Sequence, residues 1–71
     1  MFKYPVIIEK AQGNYSAYSP DLPGCVATGS TANETLARMK EAIRLHIQGL
    51  KKEGFAIPES STEVEYIEIT I

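Results

Sequence analysis

Pro20-Asp21-Leu22-Pro23-Gly24-Cys25 is the stretch from which the rest of this 71-residue chain can be read. Two prolines fix φ, the Asp21 carboxylate can bond nearby backbone N–H groups, and Gly24 supplies the freedom a reversal needs. The chain must turn here, so the segments on either side are brought together. Upstream, Phe2 to Lys10 reads as a strand, because Val6, Ile7 and Ile8 form a β-branched run. Phe2, Tyr4, Val6 and Ile8 share one parity, and Pro5, which has no N–H, belongs at an edge or a strand end. Ala11-Gln12-Gly13-Asn14 is a second turn, from which Tyr15 to Ser19 returns antiparallel. Downstream of the Pro20–Gly24 turn, Cys25 to Thr28 is a third short strand, ended by Gly29.

Thr31 then opens a helix. The Thr31 hydroxyl can accept from the amide three residues on, and Glu34 can reach back to the cap amide, which makes a capping box. Leu36, Met39, Ile43, Ile47 and Leu50 follow at spacings of three and four, one apolar stripe that Ala42 and Leu45 widen. Lys51 and Lys52 suit the negative end of the helix dipole. Gly54 fits the position just beyond the helix end, Phe55 can fold back on the last turn, and Pro58 forbids continuation. Residues 59–62 are a polar link. Residues 63–71 read as a last strand, with Ile67, Ile69 and Ile71 on one face. The sequence thus predicts one α+β domain over residues 1–71, in the order β-β-β-α-β. A three-stranded antiparallel sheet and a C-terminal strand carry one helix on one face, and Leu36, Ile43 and Ile47 pack on Ile67 and Ile69.

Composition narrows the function. Apolar residues make up 44% and charged residues 23%, too apolar for a disordered chain. The formal charge of −2 gives no basic footprint for nucleic acid and suits a basic partner. No segment is long and apolar enough for a membrane span, and the N-terminus lacks a signal-peptide run, so a cytoplasmic location is expected. Cys25 and His46 are the only residues of their types, which excludes an internal disulfide and argues against a metal site or other cofactor. A domain this small leaves one sheet face uncovered by the single helix, with second-parity residues such as Ile7, Tyr18 and Val26 half exposed, and is expected to form a homodimer or higher oligomer.

The segment Tyr15-Ser16-Ala17-Tyr18-Ser19-Pro20-Asp21-Leu22-Pro23-Gly24-Cys25, continued by Gly29, Thr31, Glu34 and the helix end Leu45–Leu50, resembles the HicB antitoxin family. The likeness runs from about Tyr4 to the last strand. Pro20, Asp21, Leu22, Pro23, Gly24, Cys25, Gly29 and Thr31 carry the motif as structural residues. The resemblance implies a partial ribonuclease-H-like fold. It also implies a partner, a small basic HicA-type toxin that cleaves mRNA and whose active surface the domain covers. Many relatives carry a further DNA-binding module. None follows Ile71 here, so no direct DNA binding is expected of this chain alone.

Other readings of the same residues are weaker. Two-metal hydrolysis needs several convergent carboxylates around cations about 4 Å apart. The chain has one aspartate, Asp21, in a turn, and Glu65 and Glu68 point to opposite sides of their strand. Cys25 and His46 lack a third group to orient them as nucleophile and base, and Cys25 reads as a small buried hydrophobe. No enzyme is expected. Tyr15, Tyr18 and Tyr66 suit packing or a protein interface better than RNA stacking, since basic residues are scarce on the strands. Glu9, Glu34, Glu65 and Glu68, with Tyr15 and Tyr18, are the candidates for contact with the partner. The alternatives are an orphan HicB-like regulator or a homo-oligomeric adaptor.

Overall fold

The computed structural model describes residues 2–71. Three strands, β1 (Ile7–Ala11), β2 (Asn14–Tyr18) and β3 (Val26–Gly29), precede one helix, α1 (Ala32–Lys52). The sheet is antiparallel in the order β1-β2-β3. The α+β class stands as the sequence indicates, with strand limits shifted by a few residues. β1 starts at Ile7 rather than Phe2 because its partner β2 ends at Tyr18, where the Pro20 turn begins. Phe2–Val6 therefore run on past the end of the ladder. Cys25 lies just before β3.

The central turn closes as its residues dictate. The Cys25 amide donates to the Leu22 carbonyl at 3.1 Å, with Pro23 and Gly24 between them and Gly24 at φ +82°. That is a type II turn, whose third position requires a positive φ. Between its prolines the turn carries Leu22, fully buried, into the core beside Ala17, Cys25 and Met39. The helix starts as expected at Thr31, whose Oγ1 accepts from the Glu34 amide at 3.0 Å. The reciprocal bond differs by one residue: Glu34 Oε1 accepts from the Ser30 amide at 2.8 Å, not from that of Thr31. At the far end the Phe55 amide reaches the Leu50 carbonyl and the Gly54 amide that of Lys51, a Schellman closure. β3 and α1 meet without clearance. A methyl group on Gly29 would lie 2.6 Å from Thr35 Oγ1 and 3.0 Å from the Thr35 amide nitrogen, and Thr35 is itself fully buried.

The expected fourth strand is not formed within the chain. Residues 63–71 pair with no strand, and Ile67 and Ile69 are 81% and 73% exposed. The core predicted between them and the helix stripe is therefore corrected. Met39, fully buried, is its centre, Ile43 and Ile47 are half-buried at its margin, and Leu36 is 43% exposed. Alternating isoleucines favour extended backbone but do not choose the edge that satisfies it. The segment's course is set at its root. Asp21 holds residues 60–62, and the Tyr4 hydroxyl donates to the Pro58 carbonyl. The radius of gyration is 13.9 Å, against about 11 Å for a compact chain of this length, as a projecting segment requires.

Candidate functional site

The register of the sheet sorts its side chains onto two faces. Ile8, Ala17 and Ala27 form one cross-strand row and pack toward Met39 under the helix. Lys10, Tyr15 and Gly29 continue that face, with the Lys10 ammonium 6.0 Å from the centre of the Tyr15 ring. The opposite face carries Ile7, Tyr18 and Val26 in one row and Glu9, Ser16 and Thr28 in the next. Val26 is 63% exposed and Tyr18 39%. A β-branched, aromatic, β-branched row in direct register, bordered by a carboxylate and two hydroxyls, has the make-up of an interface: an apolar centre and a polar rim.

Of the candidate contact residues, this arrangement brings Glu9 and Tyr18 onto one face. Tyr15 lies on the other, half-buried. Glu34 sits at the start of α1, engaged by the Ser30 amide and by Arg38 at 3.7 Å. Glu65 and Glu68 lie on the exposed C-terminal segment. Ile7 and Val26, expected with Tyr18 on the half-exposed face, are aligned with it in one row by the register.

Asp21 is the residue whose role the sequence understates. Besides standing in its turn, it accepts from Ser60 Oγ at 3.0 Å, from the Ser61 amide and hydroxyl at 3.2 Å each, and from Thr62 Oγ1 at 3.0 Å. Desolvation pushes its pKa upward, but these bonds, led by the Ser61 amide, outweigh that and hold the carboxyl below its ordinary value. The run Ser60-Ser61-Thr62 was the only signal, three consecutive donors after a proline.

The arrangement offers little covalent chemistry. Burial raises the pKa of the Cys25 thiol, which keeps it protonated at neutral pH and suits its place in the core. His46 is half-buried on α1, a different element from Cys25. Among the described residues no three His, Cys, Asp or Glu side chains gather as metal ligands. On the helix surface Arg44 is tied to Glu41, whose pKa its hydrogen bonds lower, and Arg38 also donates to the Thr28 carbonyl at 3.0 Å. These arginines form no bare cationic stripe. No helix is long and apolar enough to cross a membrane among the described residues.

Residues 4–70 match the family model of the HicB-like antitoxin of bacterial toxin–antitoxin systems. A UPF0150 protein of Thermoplasma acidophilum is 46% identical over 70 residues, which cover 97% of this chain and 96% of that protein. A 14.9 kDa protein from the rep-hol intergenic region of Haemophilus phage HP1 is 39% identical over 64 residues. That match takes in 90% of this chain but only 48% of the phage protein, so the chain spans about half of that relative. Among solved structures, a chain of a HicA3 and HicB3 toxin–antitoxin complex superimposes with a TM-score of 0.68 at 34% identity. The match covers 87% of this chain and 70% of that one.

Proposed function

The chain belongs to the HicB-like antitoxin family, and from that premise we propose that it neutralises a HicA-type, mRNA-cleaving toxin in the cytoplasm by covering the toxin's active surface, with no chemistry of its own. The observation that carries this reading is the solved neighbour, a chain of a HicA3 and HicB3 toxin–antitoxin complex at 34% identity. The contact face is the open face of the sheet, with Ile7, Tyr18 and Val26 at its centre and Glu9 at its rim. Tyrosine is a frequent anchor in such contacts, because it buries much surface while ordering few torsions. An enzyme that cuts RNA presents cations to phosphates. A partner of net charge −2 approaches such a surface favourably, and Glu9, exposed at the rim of the open face, is placed to meet it. The free Cys25 suits a reducing compartment.

Titration calorimetry against a purified HicA-type toxin tests the face. Tyr18→Ala is expected to weaken binding by roughly tenfold or more, as loss of an interface tyrosine does. Glu9→Lys is expected to weaken it mainly at low salt, where charge attraction is least screened. Unchanged affinity in both variants would remove the open face from the contact.

A further inference from the structure

We infer that the C-terminal segment, residues 63–71, docks into the apolar groove beside α1 of a second copy of this chain, so that two copies exchange strands reciprocally. The segment belongs to no strand of the sheet, so water alone meets its backbone N–H and C=O groups while its apolar side chains stay uncovered. Its side chains stand in solvent: Tyr66 is 92% exposed, Ile67 81%, and Ile69 73%. The same chain carries a matching vacancy. Phe2, Val6, Leu36, Lys40 and Ile43 line a groove of about 390 Å³, in which Phe2 and Leu36 are exposed. Along it, the backbone of Phe2–Val6 continues β1 past the end of β2 and has no ladder partner there. One element lacks a sheet edge and the other presents one.

The root of the segment decides between its own groove and a neighbour's. Asp21 accepts four hydrogen bonds from Ser60, Ser61 and Thr62, and Tyr4 donates to the Pro58 carbonyl. These contacts fasten residues 58–62, and beyond them Tyr66, Ile67, Ile69 and Ile71 stand exposed and none of them lines the groove. Charge agrees with the pairing. Glu63, Glu65 and Glu68 lie on the segment, Lys40 lines the groove, and Lys3 lines a second hollow that shares Phe2 with it. A nine-residue strand is roughly 30 Å long. Under two-fold exchange each copy contributes both its segment and its groove toward the roughly 800 Å² per partner of stable interfaces. The contact lies on the helix side, so the open face with Tyr18 stays available, and the inference does not depend on the toxin reading.

The test uses the full chain without toxin. Light scattering should give twice the 7.8 kDa chain mass. In a mixture of isotope-labelled and unlabelled chains, filtered NMR contacts should join the Ile67 and Ile69 methyls of one copy to Leu36 and Ile43 of the other. The double change Ile67→Asp and Ile69→Asp should raise the dimer dissociation constant by roughly a hundredfold or more, as charges placed in an apolar contact do, while helical circular dichroism persists. If that variant unfolds, the filtered contacts in the parent chain decide. A monomer whose segment lies in its own groove overturns the proposal, and so does a dimer without segment-to-groove contacts between copies.

Discussion

The Asp21 carboxylate accepts hydrogen bonds from three consecutive residues 39 to 41 positions further along, so its charge state governs how firmly the chain is held at 60–62. Its folded pKa lies below the unfolded value. The hold is therefore complete above the ordinary aspartate pKa of about 3.9 and is lost as the pH falls through the lower folded value. Hydrogen exchange at the Ser61 amide should accelerate in Asp21→Ala at neutral pH. An NMR titration of the same amide should show an acid-induced shift in the parent that the variant lacks. Gly29 is constrained by close approach instead. Gly29→Ala drives a methyl group into Thr35 and is expected to cost about 1–3 kcal/mol, as overpacking does, read by urea unfolding. Ser19 gives the opposite expectation. Its hydroxyl is buried without a hydrogen-bond partner among the described residues, so Ser19→Ala should leave stability unchanged or raise it by about 1 kcal/mol. Neither the Thr35 clearance nor the reach of Asp21 was legible in the sequence, because both join residues by tertiary approach rather than by local pattern.

At the scale of elements, periodicity located the helix well. Thr31 caps it, and Leu50, Gly54 and Phe55 close it where their types require. Which residue of the stripe lies deepest was not legible. The helix packs over β2 and β3, and this places Met39 against Ala17, Leu22 and Cys25 while Leu36 faces the open groove. Met39→Ala should accordingly cost about 2–5 kcal/mol, and Ile43→Ala, at a half-buried site, distinctly less. Equal losses in urea unfolding would place the centre of the core elsewhere. The hairpin and central turn were legible because proline and glycine act locally. The last strand was legible only as an extended segment. Ile67, Ile69 and Ile71 show which face is apolar, but a strand is completed by an edge, and alternation carries no information about whose edge that is.

At the scale of the molecule, one layer of helix covers one face of a three-stranded sheet. The face left open carries the Ile7–Tyr18–Val26 row, and the groove beside the helix carries Phe2 and Leu36. Two separate apolar surfaces on so small a chain give it room for two contacts, one with a copy of itself and one with a toxin. The motif around Pro20–Cys25 made the family legible in the sequence, since those residues build the turn and place Leu22 in the core. The candidate contact residues do not gather on one face. Glu9 and Tyr18 converge, whereas Glu34 is taken up in the helix cap, and Glu65 and Glu68 lie on the C-terminal segment. The most direct test of neutralisation by occlusion is the rate at which a purified HicA-type toxin cuts labelled RNA as this protein is added, with and without magnesium. Cleavage should fall in proportion to added protein and stop once each toxin is matched. This protein alone should leave the RNA intact, and rising salt should restore cutting by weakening the complex. Undiminished cleavage in the presence of excess protein, or RNA degradation by this protein alone, would contradict neutralisation by occlusion.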